Sequence, residues 1–163
     1  MRLNKRRIIG IDPGLASTGW GVVDYFRGKI RYLAHGCIVT QAGRPRAERL
    51  FFILTSIRAV LDEWRPGESA LENLYFGRNV SSAIPVAEAR GVISAILAER
   101  GLPVREFTPN AIKQGVVGVA SAEKSQIQDM VRIILGLPEI PRPDHAADAL
   151  AAAICCAHAA LLM

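Results

Sequence analysis

At 163 residues, half of them hydrophobic and with Gly and Pro in ordinary numbers, the chain suits one folded domain (1–163) with a real core. That composition excludes a disordered or fibrous polypeptide, and the formal charge of +5 favours a polyanionic partner, nucleic acid first. Cys37, Cys155 and Cys156 form no CxxC pattern, so a reducing cytoplasmic setting is expected rather than a disulfide framework.

The basic N-terminus leads into Ile8-Ile9-Gly10-Ile11, a run of strand length that stops at Asp12 and then Pro13-Gly14. Four apolar residues are too few for a signal-peptide core. Asp12 therefore sits where a buried strand surfaces, and an unpaired carboxylate there needs hydrogen bonds, a cation or water. Taken alone, it would also serve as an acidic turn residue. Thr18 to Phe26 alternates, Arg27-Gly28 marks a turn, and Ile30 to Thr40 resumes the extended pattern. The pair predicts an antiparallel hairpin beside the first strand.

Apolar residues at helical spacing from Arg46 to Trp64 predict a helix that ends before Pro66-Gly67. Ser69 to Glu72 reads as a short strand and Asn73 to Asn79 as a loop carrying Tyr75, Phe76 and Arg78. A helix from about Ala83 to Arg100 presents Ala89, Ile93, Ile96 and Leu97 inward, and Gly101 and Pro103 end it. Val104 to Phe107 is a further strand, and Pro109 suits the first position of a short helix. Ser121 is the expected N-cap of a helix from Ala122 to Leu135, stopped by Gly136 and Pro138. A last helix starts near Asp144, for which an N-cap role is expected. Its Ala-rich body is broken by Asp148 and His158, so it reads as a buried helix and no membrane partner is expected. A hairpin followed by alternating helices and strands predicts an α/β fold with a mixed sheet flanked by helices.

Glu72 repeats the logic of Asp12, closing a strand as a loop begins, so both carboxylates can share the C-terminal rim where open α/β sheets bind ligands. On the last helix, His145 and Asp148 are three residues apart and Asp144 and Asp148 four apart, so each pair shares a face. A carboxylate one turn into so apolar a helix has no cheap structural role, short of an ion pair with an Arg from elsewhere. Taken singly, Arg78, Arg90, Lys113 and Lys124 are ordinary solvated charges.

Several ordered blocks together resemble the RuvC-type Holliday junction resolvases, a branch of the RNase H-like nucleases. They are Gly10-Ile11-Asp12-Pro13-Gly14, Glu72-Asn73-Leu74-Tyr75, Ala89-Arg90-Gly91, Lys113-Gln114-Gly115-Val116-Val117-Gly118, Ser121-Ala122-Glu123-Lys124-Ser125-Gln126 and Ala147-Asp148-Ala149-Leu150-Ala151. The resemblance covers nearly the whole chain. It implies an RNase H-like mixed sheet and symmetric, metal-dependent nicking of two strands of a four-way DNA junction, with 5′-phosphate and 3′-hydroxyl products.

The implied metal-site residues are Asp12, Glu72, His145 and Asp148, with Mg²⁺ or Mn²⁺ as cofactor, two ions per site. Some family members carry Asp where this chain has His145, which leaves His145 and Asp144 as alternative fourth ligands. Arg78, Arg90, Lys113 and Lys124 are candidate contacts to DNA phosphate; the resemblance implies such contacts for Lys113 and Lys124 and implies that Tyr75 stacks on bases at the junction centre, with core packing against Phe76 as its alternative. It further implies a homodimer and a branch-migration complex as partner. The helix from Ala83 to Arg100 is the expected dimer face, because Ala89, Gly91 and Ala95 permit close approach. Other readings of the same residues are an actin-like or sugar-kinase phosphate-binding domain, a related nuclease without junction specificity, and a noncatalytic binding module.

Overall fold

The isoleucine run forms β1 (Arg6–Asp12), the central strand of a five-stranded sheet. The computed structural model describes residues 5–73 and 80–159. Around β1 stand β2 (Ser17–Phe26), β3 (Lys29–Val39), β4 (Glu68–Glu72) and β5 (Val104–Phe107), in the order β3-β2-β1-β4-β5. β1, β2 and β3 pair antiparallel, as the expected hairpin requires, while β4 and β5 run parallel to β1. Antiparallel strands need only the tight Arg27-Gly28 turn, whereas the parallel ones require crossovers. Those crossovers are α1 (Arg46–Trp64) and α2 (Val80–Glu99); α3 (Pro109–Val117), α4 (Lys124–Leu135) and α5 (Asp144–Ala159) follow β5.

Side chains alternate across a strand, so β1 serves two cores. Ile9 and Ile11 pack with Ile53 and Ile57 of α1 and Ile93 and Leu97 of α2. Ile8 faces the opposite way, into a cluster with Leu150 and Ile154 of α5, Ile112 of α3 and Val131 of α4. The sheet is thus sandwiched between α1 and α2 on one side and α3, α4 and α5 on the other.

Close approach of α5 depends on missing side chains. A Cβ on Gly10 would collide with the Ala149 carbonyl oxygen, and one on Gly19 with the His145 carbonyl oxygen. With Ala at most facing positions, α5 lies nearly backbone to backbone against β1 and β2, and Ala146, Ala147 and Ala149 to Ala157 are buried. Among the described residues, no helix is long and apolar enough to cross a membrane.

Helix boundaries depart from expectation at three points. α2 starts at Val80, ahead of Ala83, and carries Pro85 within its second turn, where the missing N–H costs one ladder bond. α4 is capped by Glu123 rather than Ser121. The Glu123 carboxylate accepts from the backbone one turn on, and Gln126 Oε1 accepts the Glu123 N–H at 2.8 Å, a reciprocal capping box that Ser121 cannot make. Asp144 is the first residue of α5, not its cap. Thr108 caps α3 through the Ala111 N–H at 3.0 Å, with Pro109 next in line as expected.

At the end of the strands remote from Asp12, Asp24 is 3% exposed and receives Arg7 Nε at 2.9 Å and Lys5 Nζ at 2.7 Å. Burial pushes its pKa up, but the Arg7 and Lys5 contacts outweigh burial and leave it below the ordinary aspartate value. A depressed folded-state pKa contributes stability that is present above the unfolded pKa of about 3.9 and lost as pH falls through the folded value. Asp24→Asn should therefore cost about 1.5–3 kcal/mol at pH 7, and the gap from wild type should narrow progressively as pH falls below about 4. Urea unfolding at pH 7 and pH 3 checks this; a gap as wide at pH 3 as at pH 7 contradicts it.

Candidate active site

Asp12 ends β1, and the parallel register sets what stands beside it. Ile8 pairs with Glu68 and Gly10 with Ala70, so two residues further along Glu72 emerges next to Asp12 on the same face. The first turns of α5 approach that face because Gly10 and Gly19 leave room. His145 and Asp148, three residues apart on the helix, then project toward the strand ends.

His145 Nδ1 lies 2.7 Å from Asp12 Oδ2, and one ligand atom each from Asp12, His145 and Asp148 fall within 4.8 Å of one another. Glu72 stands outside this tight trio but feels the charges of Asp12 and Asp148. It lines a cleft of about 370 Å³ with Asp148, Lys113 and Lys124.

The electrostatics of the site are those of carboxylates short of positive charge. Burial raises the pKa of Asp12; the His145 hydrogen bond pulls it back, the charge of Asp148 raises it further, and the net shift is upward. Glu72 is raised by burial first and then by Asp12 and Asp148, against partial relief from Lys124 and Lys113. Lys124 bridges acidic groups, with Nζ 3.2 Å from Asp148 Oδ2 and 3.5 Å from Asp144 Oδ2. Burial works against its charge, but these neighbours prevail and raise its pKa above the usual lysine value.

Three carboxylates and an imidazole, converging where burial and neighbouring negative charge raise the pKa values of Asp12 and Glu72, fit a divalent cation. Oxygen donors suit Mg²⁺ or Mn²⁺, and the nitrogen of His145 tilts the set toward Mn²⁺.

Other residues singled out from the sequence fall differently. Asp144 is engaged with Arg142 at 2.7 Å and with Lys124, outside the trio, so the geometry favours His145 over Asp144 beside Asp12. Lys113 lines the cleft. Arg90, expected to meet DNA phosphate, has a side chain only 12% exposed. It donates to the Glu72 carbonyl oxygen at 2.6 Å and pairs with Glu106 at 2.6 Å. It holds the strand end that carries Glu72 rather than reaching outward. Spacing alone gave no sign of this, because the partner is a backbone carbonyl 18 residues away. Tyr75 and Arg78 lie outside the described residues.

Comparison with known proteins converges on one group. The model of the family "Crossover junction endodeoxyribonuclease RuvC" matches residues 8–156. The chain is 49% identical over 154 residues to the crossover junction endodeoxyribonuclease RuvC of Chloroflexus aurantiacus, covering 94% of each chain. It is also 49% identical over 147 residues to that of Treponema denticola, covering 90% of this chain and 83% of the relative. Thermus thermophilus RuvC, solved in complex with a Holliday junction substrate, superposes with a TM-score of 0.92 at 37% identity and 96% coverage of both chains. With the family model spanning most of the sequence, and relatives near half identity over nearly its full length, the chain belongs to the RuvC family of crossover junction endodeoxyribonucleases.

Proposed function

We propose that this chain, as a single nuclease domain, resolves Holliday junctions in DNA recombination and repair. It does so by metal-dependent nicking of two symmetry-related strands, leaving 5′-phosphate and 3′-hydroxyl ends that a ligase can seal. The observation that carries this reading is the convergence of Asp12, His145 and Asp148, with Glu72 beside them, at the strand ends of a RuvC-like sheet.

In the mechanism, Asp12, Glu72, His145 and Asp148 would hold the cations, two per site, as Mg²⁺ or Mn²⁺. Cations held there would supply the charge that lowers the pKa of an attacking water and that offsets negative charge on the departing 3′ oxygen. The protein groups do the rest. Arg90 fixes the Glu72 backbone, and the Asp12–His145 hydrogen bond orients both donors before substrate arrives. Lys113 and Lys124, at the wall of the cleft, set a scissile-strand phosphate against the carboxylates.

Contacts of that kind release counterions, so binding should weaken steeply with salt. Lys113→Ala and Lys124→Ala should each lower the slope of log K against log salt by about 1. Gel-shift titrations between low and physiological salt measure it, and an unchanged slope removes the residue from the interface.

A four-way junction presents two equivalent strands, which a C₂ dimer would meet with two copies of one site. α2 offers a face for it. Gly91 and Ala95 are exposed and Ile84 is 47% exposed, whereas Ala89 is fully buried in the core and drops out of the expected contact. The dimer, a branch-migration complex as working partner, and a cytoplasmic location complete the proposal.

Cleavage of a mobile four-way junction with mapped nicks, beside linear duplex and RNA–DNA hybrid, tests the function. Paired, symmetric, metal-dependent nicks confined to the junction support it. Equal cutting of linear duplex would contradict junction selectivity.

A further inference from the structure

Asp12 is followed by a sharp turn, Pro13 to Ala16, that leads back into β2, and two buried hydroxyls hold that turn. Thr18, fully buried, donates to the Gly14 carbonyl oxygen at 2.7 Å and accepts the Gly14 N–H at 3.3 Å. Thr40, just beyond β3 and 7% exposed, donates to the Leu15 carbonyl oxygen at 2.5 Å, and its own N–H reaches the Ala16 carbonyl oxygen at 3.0 Å. Its hydroxyl oxygen also accepts Arg49 Nε–H at 2.8 Å, which ties the turn to the start of α1.

Three successive turn residues are thus fastened to groups from two other parts of the fold. Buried backbone polar groups must be paired, but these pairings also remove the freedom of the segment next to Asp12. A ligating carboxylate at a strand end that runs into an unsupported turn would sample several positions, and supporting hydrogen bonds of this sort narrow them.

We propose that Thr18 and Thr40 are positioning residues. By clamping the turn after Asp12 they hold its carboxylate where, with His145 and Asp148, it can bind a divalent cation. Neither hydroxyl is assigned a contact with the reacting atoms. The inference rests on the metal-site reading above.

Mn²⁺ titration of the DNA-free protein by calorimetry tests it, alongside kcat on a four-way junction and junction affinity measured without metal. Thr18→Val and Thr40→Val keep size and lose the hydroxyl; Thr18→Ser keeps the hydroxyl. Each Val variant should bind Mn²⁺ about 10–100-fold more weakly and lose kcat, with metal-free junction affinity unchanged. Thr18→Ser should restore Mn²⁺ affinity to near the wild-type value. Wild-type Mn²⁺ affinity in the folded Val variants would overturn the proposal, as would a Ser variant no better than Val. Should Thr18→Val fail to fold, Thr40→Val decides the question by the same readouts. Failure of the wild-type protein to bind Mn²⁺ would instead overturn the site reading itself, and the clamp with it.

Discussion

Asp12→Asn should leave four-way junction binding intact and lower cleavage by about 10²–10³-fold or more. The scale follows from the several kcal/mol that positioned metal charge contributes to such transition states, at about 1.4 kcal/mol per tenfold in rate. Asn keeps the size of Asp12 and one carbonyl oxygen, so packing changes little, but it loses the negative charge. It also removes the carboxylate charge from the 2.7 Å contact with His145 Nδ1. Stability should rise slightly or hold, because burial disfavours the half-buried Asp12 carboxylate and Asp148 repels it, against the favourable interactions with His145 and Lys124. Loss of cutting with retained binding and undiminished stability is a combination that a merely structural residue would not give. Single-turnover cleavage, gel shift and thermal unfolding measure the three quantities. Wild-type cutting by Asp12→Asn in Mg²⁺ would remove Asp12 from the site.

Gly19→Ala should be nearly as damaging from a residue that carries no functional group. Its Cβ would meet the backbone of His145 and Ala146, so the start of α5 must move away from β2. Backbone cannot swing aside as a flexible side chain would. Misplacement of reacting groups by about 1 Å can cost about 10²-fold in rate, and His145 moves directly with the displaced turn. Overpacking adds about 1–3 kcal/mol of instability. Gly21→Ala, which strikes the same helix first at the Leu150 side chain, is the control. It should destabilise through overpacking but disturb the metal ligands less per unit of lost stability. Activity measured well below each variant's unfolding temperature separates the two. Equal specific activity in both folded variants would contradict the view that Gly19 serves the site.

Much of this was legible in the sequence, for identifiable reasons. A strand buried on both faces shows as an uninterrupted apolar run, which located β1 and hence Asp12. The parallel register of β4 then brings Glu72 to the same edge, and helical spacing placed His145 and Asp148 together. What stayed hidden depends on contacts between distant residues. In sequence Arg90 has the spacing of any solvent-facing arginine, whereas in the fold its guanidinium lies on the Glu72 carbonyl and on Glu106. Ala89 and Gly91 are both small, and only the packing shows that one is in the core and the other at the surface. Ser121 was the better cap by residue preference, yet Glu123 took the role because Gln126 completes a reciprocal pair. Asp144 and His145 were adjacent candidates, and the direction of the helix start separated them, sending one toward Arg142 and the other toward Asp12.

The most direct check is anomalous scattering from crystals of the protein soaked in Mn²⁺. Density bounded by Asp12, His145 and Asp148, with Glu72 alongside, is the predicted result. Mn²⁺ found only at other acidic groups, with these four side chains left bare at saturating metal, would contradict the account at its root.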